Sequence, residues 1–394
     1  MLDEAKIAVN ESKFDKTQIN TDKSLAKKVI DKIEYDQALK KRNLADNNLK
    51  AIDIYQQIVD AVELSADRSI SKKTLSPSEG FLAKLVGNQK FSNIARDSIG
   101  SRQIALEEIY YTRFFKAIND ISPTSWDALT SGKMDIEIAD EMKGLVSGNV
   151  EAAQIAKVLK DIQADLRNQL NDLGANIGQI DDWITRMSHN TEKMARASEG
   201  SRLISDNRIA WREFIKTRLD LKRSFANVNN PKEIDKILDD IFDSLMSGDH
   251  TKHDGVGSVF GTKNVTNRLN ASRVLHFKNS QARQEYSVKF GEPSLKENVL
   301  GVITTSTRNI ALMQTLGTDP KDTAEKVLAL LRKKYKGTDP KEVNKLNFKN
   351  FENEFKEIDG SINGIANEIL AKTGMIIRST GALARLGMTQ ITSI

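Results

Sequence analysis

Apolar residues recur every three or four positions along most of this chain, and that spacing constrains the fold more than any other feature. The clearest example lies within residues 150–173, where the apolar stripe consists of Ile155, Val158, Leu159, Ile162, Leu166 and Leu170. This spacing places the side chains on one face of an α-helix. No stretch shows the alternation of apolar and polar residues that is typical of a half-buried β-strand. The sequence therefore predicts an all-α fold, an elongated assembly of many helices.

Several predicted helices carry capping residues in their first turn. Asn230-Pro231-Lys232-Glu233 and Asp339-Pro340-Lys341-Glu342 each supply an N-cap, a proline at the first helical position and a glutamate shortly after it. Ser294-Leu295-Lys296-Glu297 has the pattern of a capping box. The phrase Gly-Thr-Asp-Pro-Lys occurs at 317–321 and again at 337–341. We expect its glycine to end one helix and its Asp-Pro to begin the next.

The chain has 394 residues, which suffices for two or three packed units. Residues 1–66 are rich in charge and poor in aromatic side chains, so they are predicted to form an extended, exposed helical arm that packs on a partner. The apolar positions of this arm are Leu25, Val29, Ile33, Ile52, Tyr55, Val59 and Val62. Residues 67–100 contain Ser76-Pro77-Ser78-Glu79-Gly80 and are predicted to be a connector.

A helical domain is predicted at 101–247. Its first helix is expected to bury a broad face that consists of Ile104, Ile109, Tyr111, Phe114, Phe115 and Ile118. A glycine-rich loop, 248–263, separates this domain from a second helical domain at 264–394. Because the apolar pattern of the second domain stops without a capping signal, we expect this domain to continue in a longer polypeptide.

Composition narrows the classes of function. The chain carries 59 Lys and Arg against 54 Asp and Glu, with a net charge of +5. Because both signs are interspersed, this balance favours a solvated helical surface over a dedicated nucleic-acid-binding face. The absence of cysteine excludes disulfides, thiolate metal sites and cysteine nucleophiles. The first residues lack the apolar core of a secretory signal, and no apolar run reaches the length of about eighteen residues that a membrane span needs.

Loop 248–263 is the first place to look for a site. Its candidate metal ligands are Asp249, His250, His253 and Asp254, and its glycines are Gly255, Gly257 and Gly261. A phosphate cradle is not supported, because the spacing Gly-x-x-x-x-Gly-Lys-Ser/Thr is absent and the loop follows a predicted helix instead of a strand. A glycine-rich loop also does not hold metal ligands in fixed geometry. We therefore interpret this segment as a surface loop.

His189 lies in a polar segment whose other candidate site residues are Asp181, Asp182, Trp183, Arg186 and Ser188. Side chains of adjacent residues diverge, so Ser188 and His189 do not form a catalytic pair, and the two adjacent aspartates point to different faces. We expect a buried histidine or arginine here that hydrogen-bonds the end of a helix.

The stretch RVLHFKNSQARQEYSVKFG, residues 273–291, gathers a histidine, aromatic residues and cations: His276, Phe277, Arg273, Lys278, Arg283 and Lys289. The cations lie five or six residues apart, so they do not share one helical stripe, and phosphates, acidic partners and water suit them equally. Tyr286, Val288 and Phe290 are predicted to pack in a core ahead of a turn at Gly291. We predict no catalytic, metal or cofactor-binding residue in the chain.

The final segment, 361–394, is apolar and dotted with Gly364, Gly374, Gly381 and Gly387. Lys372, Arg378 and Arg385 interrupt it too often for a simple membrane span. Burial against the same protein or a sister subunit is the preferred interpretation. An amphipathic helix on a membrane surface is the alternative.

An ordered series of short segments resembles one family. Its first members are Gly174-Ala175-Asn176-Ile177-Gly178, Trp183-Ile184-Thr185-Arg186-Met187-Ser188-His189-Asn190, Trp211-Arg212-Glu213-Phe214 and Leu245-Met246-Ser247-Gly248-Asp249-His250. Its later members are Arg273-Val274-Leu275-His276-Phe277-Lys278, Tyr286, Phe290-Gly291, Arg308-Asn309-Ile310-Ala311-Leu312-Met313, Leu316-Gly317-Thr318-Asp319-Pro320 and Ala382-Leu383-Ala384-Arg385-Leu386-Gly387. Over residues 95–394 this series is similar to large internal virion or DNA-ejection proteins of tailed bacteriophages and to large polyvalent phage and prophage proteins. Asn190 departs from the aspartate of the family.

The resemblance implies a structural protein without enzymatic activity of its own. Such proteins are packaged in the capsid and delivered with the genome, where they help to form a conduit across the host envelope. The implied partners are other copies of the chain, the portal, core or tail proteins of the virion, the host envelope and, weakly and without specificity, phage DNA. The implied location is the virion and, after ejection, the host cell envelope.

Two other functions remain open at this point. An enzymatic virion module, such as a peptidoglycan-degrading domain, needs a catalytic glutamate in a cleft, and spacing alone does not reveal one. A DNA-binding packaging protein would bind with an affinity that falls steeply as salt rises.

Overall fold

The computed structural model describes residues 16–67, 74–87, 97–177, 189–225, 228, 230–247, 275–291 and 294–360, with side chains of residues 16–26, 28, 29 and 32 left aside. Every regular element within these ranges is helical. The β contact in them is an isolated antiparallel bridge between Leu219 and Phe277. The all-α prediction is confirmed.

The helices, in chain order, are α1 (Lys16–Ala66), α2 (Pro77–Val86), α3 (Ile99–Ile121), α4 (Ser125–Ser131), α5 (Asp135–Met142), α6 (Val150–Asp172), α7 (Thr191–Met194), α8 (Ile204–Lys216), α9 (Leu221–Ser224), α10 (Pro231–Ser247), α11 (Ser280–Phe290), α12 (Leu295–Leu316), α13 (Pro320–Tyr335), α14 (Pro340–Lys345) and α15 (Glu352–Asp359). A 3-10 helix, Phe348–Phe351, precedes α15.

The first cluster of buried side chains joins α3, α6 and α12, with α5 against α6. The predicted stripe of α6 is confirmed, since five of its members are buried and Val158 is partly buried. The predicted face of α3 was wrong at two positions, because Ile104 and Ile109 are exposed. Ile109 lies on the side of the helix opposite Phe114. Near Ile104 the buried face is instead filled by Gln103 and Glu107, whose side chains hydrogen-bond each other at 2.8 Å.

The second cluster joins the later part of α1 with α2, α12, α13 and α15. Helix α2 lies inside the predicted connector, so that part of the connector prediction was wrong. Ser76 accepts a hydrogen bond from the Glu79 backbone, and the Glu79 carboxylate accepts one from the Ser76 backbone, which makes a capping box with Pro77 at the first helical position. Helix α2 is anchored in the core by Phe81, whose ring lies 4.9 Å from that of Phe351.

Helix α1 is a single helix of 51 residues. In its first part, residues 27–42, every described side chain is exposed except the half-buried Leu39, and we call this segment the exposed half of α1. From Asn43 onward the helix is part of the core, to which it contributes Ala51, Ile54, Ile58 and Val59. The prediction of an exposed arm over 1–66 therefore fails for this later part. Ile52, predicted to face a partner, is exposed.

Two asparagines that lie one helical turn apart on α1 hydrogen-bond to two interhelical turns, one after α6 and one between α12 and α13. The Asn43 side chain donates to the Gly174 carbonyl oxygen at 3.0 Å. The Asn47 Oδ1 atom accepts from the Thr318 backbone N–H at 2.9 Å. A Cβ atom added to Gly174 or to Gly317 would overlap these amide side chains, and both glycines have positive φ. The close approach of α1 therefore requires glycine in both turns.

The predicted N-cap residues are confirmed, and of the capping box predicted at Ser294 the structure shows the bond from the Glu297 backbone N–H to the serine side chain. The side chains of Asn230, Ser294 and Asp339 accept from backbone N–H groups in the first turns of α10, α12 and α14. Both copies of Gly-Thr-Asp-Pro-Lys join two helices, and in the first copy Gly317 adopts φ +75°. Glu342 lies beyond Asp339 and reaches across to α2, where its carboxylate accepts from the Ser78 backbone N–H at 2.7 Å.

The third cluster is built from α7, α8, α9, α10 and α11, within residues 189–291, which we call the subdomain. A row of ion pairs fixes α8 antiparallel to α10. Their members are four residues apart on each helix, and the pairs are Arg208–Asp243 (2.7 Å), Arg212–Asp239 (2.7 Å) and Lys216–Asp235 (2.5 Å). Arg212 contacts both oxygens of the Asp239 carboxylate.

The three clusters group the chain differently from the predicted domains. Residues predicted as one domain, 101–247, contribute to the first and third clusters, and those of 264–394 contribute to all three. Helices α1–α6 and α12–α15, which we call the bundle, carry the first two clusters. The subdomain is thus an insertion between α6 and α12.

Candidate functional site

The sequence candidates fall into two groups. The first group of candidate residues lies outside the described residues: loop 248–263, the segment 181–188, Arg273 and the final segment 361–394. The others lie in the subdomain, where α11 and the residues before it correspond to the stretch that begins at Arg273 and contains His276, aromatic residues and cations. That stretch is the candidate site that the structure describes.

Helix α11 begins at an asparagine cap and buries two aromatic side chains. Asn279 accepts from the Ala282 backbone N–H at 2.8 Å. Tyr286 and Phe290 are fully buried, as predicted, but Val288 is 57% exposed, so its predicted place in the core was wrong. On an α-helix, Val288 lies away from the face shared by Tyr286 and Phe290, which are four residues apart.

The hydroxyl group of Tyr286 is the centre of a buried hydrogen-bond chain. It accepts from the Trp211 indole N–H at 3.1 Å and lies 2.9 Å from Nδ1 of His189. The direction of the bond between the hydroxyl and His189 depends on which ring nitrogen of the histidine carries the proton. Burial raises the pKa of Tyr286 well above its ordinary value, so the hydroxyl stays protonated. This chain joins three aromatic side chains and has a structural role.

The sequence predicts that a buried histidine or arginine hydrogen-bonds the end of a helix here, and the contact that the structure shows for the His189 side chain is with the Tyr286 hydroxyl. The end-capping residue is its neighbour Asn190, whose side chain accepts from the Lys193 backbone N–H at 3.0 Å. Asparagine and aspartate are equally good N-caps, so either residue suits this structural role at position 190.

The backbone of His276 forms hydrogen bonds with residues at both ends of α9. Its N–H donates to the Ser224 hydroxyl at 2.9 Å, and its carbonyl oxygen accepts from the Asp220 backbone N–H at 2.8 Å. The next residue, Phe277, forms the isolated bridge with Leu219 and packs on Tyr286 with ring centroids 5.4 Å apart. This segment therefore ties α11 to the turn between α8 and α9.

The described cations of the stretch point to three different places. Lys278 donates to the Thr217 carbonyl oxygen at 2.8 Å, and Lys289 lies 4.6 Å from the centre of the Phe214 ring. Arg283 is buried and faces Asp135 of the bundle. Because these cations do not converge, they do not form a joint phosphate-binding surface.

A shallow surface hollow lies beside the start of α11, between Arg218 and Lys278. Its charged side chains already interact within the protein. Arg218 forms an ion pair with Glu285 at 2.8 Å and stacks on Phe214, and Lys278 donates a hydrogen bond to the Thr217 carbonyl oxygen. The hollow therefore offers no free charge that would hold a ligand.

No group of three or more His, Asp or Glu residues in the described ranges is arranged to hold a metal ion. None of the described helices combines the length and the apolar content that crossing a membrane requires. No family model, curated protein sequence or solved structure matches the chain.

Sequence reasoning missed three sets of contacts. The ion-pair row of α8 and α10 had a readable signal, since basic residues at 208, 212 and 216 and aspartates at 235, 239 and 243 repeat every four positions. The pairing of Asn43 and Asn47 with two turns had none, because an asparagine in a charged helix is usually solvated. The link of Trp211 to Tyr286 joins positions 75 residues apart and requires the fold.

Proposed function

We propose that this chain is a structural internal virion protein of a tailed bacteriophage. In this proposal the protein is packaged in the capsid, leaves with the genome and helps to form a conduit across the host envelope. Its partners are other copies of itself and the portal, core or tail proteins. It acts by packing helical faces together and performs no catalysis of its own.

The observation that carries the proposal is where the segments of the family-like series lie in the fold. Trp211, Tyr286 and Phe290 are fully buried, and Leu316-Gly317-Thr318 forms the turn that receives Asn47 of α1. Buried and turn positions of this kind specify a fold. An ordered series of such positions therefore supports a shared architecture with the phage proteins that the sequence resembles.

Helix α1 supports the assembly part of the proposal. Its exposed half presents Ile30, Ile33 and Tyr35 at 50%, 45% and 56% exposure. Ile33 lies five helical turns before Ala51, so both are on the same face, and Ala51 is buried against the bundle. The face that α1 uses within its own chain thus continues into its exposed half. We infer that a partner packs there in the particle.

The mixed surface charge suits the passage of the protein through a tail. A net charge of +5 spread among both signs gives weak, salt-sensitive contact with DNA and leaves the chain free to release it. The ion pairs between α8 and α10 are internal, so they hold the subdomain together without a partner.

Quantitative mass spectrometry of purified particles tests the location. We expect peptides of this chain in several copies per particle, at a fixed ratio to the portal protein. Absence from purified particles would overturn the proposal. Peptidoglycan turnover that a single Glu→Gln substitution abolishes would favour the enzymatic module, and DNA affinity that falls steeply with salt would favour the packaging protein.

Analytical ultracentrifugation of the full chain tests the assembly face. Replacement of Ile30 and Ile33 by glutamate should weaken self-association at least tenfold, because burial of one isoleucine contributes roughly 1.5–3 kcal/mol. Leu64→Glu is the matched control, since Leu64 has a similar exposure of 48% at the other end of α1. A strictly monomeric wild-type protein, or equal weakening by the control, would contradict the role of the exposed half.

A further inference from the structure

Helix α11 is buried on two sides of different character. Tyr286 and Phe290 lie four residues apart and face the core of the subdomain, and Ala282, four residues before Tyr286, is buried as well. Ser280, Arg283 and Ser287 lie at positions i, i+3 and i+7, so they form a second face. All three are buried, at 3%, 6% and 1% exposure. A helix with one apolar and one polar buried face is a boundary between two packed units.

The polar face of α11 is turned towards α5 of the bundle. Arg283 interacts electrostatically with Asp135, the first residue of α5, and Asp135 is only 5% exposed. One oxygen of Asp135 accepts from the Leu295 backbone N–H at 3.1 Å. We call the contact between α5 and α11, on the side of the polar face of α11, the seam.

Several polar atoms in the seam are poorly satisfied. Oδ1 of Asp135 and the hydroxyl oxygens of Ser280 and Ser287 have no hydrogen-bond partner among the described residues. Buried polar groups are normally hydrogen-bonded, and leaving them unpaired is costly. Separation of the two helices would expose these groups to water and remove that cost, so the seam holds the two units together weakly.

The subdomain has its own means of staying folded. Its core contains Trp211, Phe242 and Tyr286, and the ion-pair row between α8 and α10 is internal to it. Within the described residues, the contact of α5 with α11 is the largest one between the subdomain and the bundle. Units with separate cores and a polar interface between them are expected to move relative to one another.

We propose that the subdomain, with its helices α7–α11, detaches from the bundle as a folded unit along the seam. Detachment leaves both cores folded. The inference stands on the packing of α5 and α11 and is independent of the virion role.

Distance measurements between spin labels on the full-length chain test this motion. The chain has no cysteine, so two can be introduced without removing any. Lys157→Cys on α6 and Lys236→Cys on α10 place labels on exposed positions of the bundle and of the subdomain. We expect two distance populations for this pair. A second pair, Lys157→Cys with Lys333→Cys, lies within the bundle and should give one.

Substitutions in the seam test whether its polar side chains set the ratio of the docked to the detached population. Replacement of Ser280 and Ser287 by alanine removes two unpaired hydroxyls, so the docked fraction should rise at least about tenfold relative to the detached fraction. Arg283→Ala should shift the populations the other way. The matched control is Ser205→Ala with Ser247→Ala, which removes exposed hydroxyls that have partners and should change nothing.

The inference fails if the inter-unit pair gives one distance in the wild type and in the serine variant. It also fails if the bundle pair broadens together with the inter-unit pair, since that result means general unfolding. If Arg283→Ala does not fold, as judged by circular dichroism, the serine variant and its control decide alone.

Discussion

Replacement of Gly317 by alanine should break the attachment of α1 to the turn between α12 and α13. Gly317 has φ +75°, and an added Cβ atom would overlap Oδ1 of Asn47. That oxygen is the acceptor for the Thr318 backbone N–H, at 2.9 Å. Thr318 is only 1% exposed, so water cannot replace the lost acceptor while the turn stays buried.

The expected loss in the free energy of unfolding for Gly317→Ala is the sum of two contributions. The backbone of Gly317, with φ +75° and ψ −162°, lies in a region essentially restricted to glycine, which costs another residue about 1–3 kcal/mol, and a buried N–H without its acceptor costs about 1–3 kcal/mol. Gly317→Ala should therefore lower the free energy of unfolding by about 3–4 kcal/mol, and Asn47→Ala by about 2 kcal/mol. In the double variant the overlap and the hydrogen bond are both absent. Its loss should stay at about 3–4 kcal/mol, roughly 2 kcal/mol less than the sum of the single losses.

Urea unfolding followed by circular dichroism at the helical band measures all four proteins of this cycle. Asn48→Ala is the matched control, because Asn48 is exposed on the same helix, and its loss should stay below about 0.5 kcal/mol. Additivity of the two single losses within about 0.5 kcal/mol would show that Asn47 and Gly317 do not interact, and would refute the packing of α1 on this turn.

Three further substitutions test buried polar groups. Tyr286→Phe leaves the Trp211 N–H without an acceptor and should lower the free energy of unfolding by about 1–3 kcal/mol. Burial raises the pKa of Glu342, but the hydrogen bonds from Ser78 outweigh it and hold the pKa below its ordinary value. Glu342→Gln should therefore destabilise the protein at pH 7, and the difference should vanish as the pH falls through the lowered pKa. Burial raises the pKa of Asp135 above its ordinary value, because the N–H of Leu295 and the charge of Arg283 only partly offset it. The ionised form is thus disfavoured, and Asp135→Asn should stabilise the protein at pH 7 but not at pH 3.

Denaturant unfolding at pH 3, 5 and 7 measures the two carboxyl variants together. Their pH dependences must have opposite signs, since one native pKa is lowered and the other is raised. The same sign for both would contradict the contacts assigned to one of them. For Tyr286→Phe, unchanged stability together with unchanged Trp211 fluorescence would contradict the buried hydrogen-bond chain.

Local signals in the sequence predicted the helices well. The stripe of α6 and the N-caps at Asn230, Ser294 and Asp339 act within one or two turns, so no knowledge of the fold is needed to read them. The same rule applies at Ser76, where the sequence analysis predicts a connector although serine, proline and glutamate begin α2. Proline favours both turns and first helical turns, and the glutamate three residues after the serine distinguishes the two cases.

Burial was harder to predict than helicity. Ile104, Ile109 and Val288 are apolar residues in predicted helices, yet all three are exposed. Which face of a helix becomes buried depends on its neighbours, and α12, which covers α3, is about two hundred residues away in sequence. Helical periodicity defines a candidate face, but it does not define its margins.

The candidate site was predictable in content but not in arrangement. The stretch after Arg273 was identified by its histidine, aromatic residues and cations, and its aromatic residues do form a core. The chain from Trp211 through Tyr286 to His189 depends on three segments that meet only in the fold. The grouping of 189–291 into one subdomain could not be predicted for the same reason, because its core combines side chains of α8 and α10 with those of α11, which are distant in sequence.

The most direct test of the proposed role counts copies of this chain in particles before and after genome release in vitro. Particles are triggered to eject their DNA, separated from released material and analysed by quantitative mass spectrometry, with the major capsid protein as the internal standard. The proposal predicts that the chain is present in full particles and lost from emptied capsids together with the DNA. An unchanged ratio of this chain to the capsid protein after ejection would contradict it.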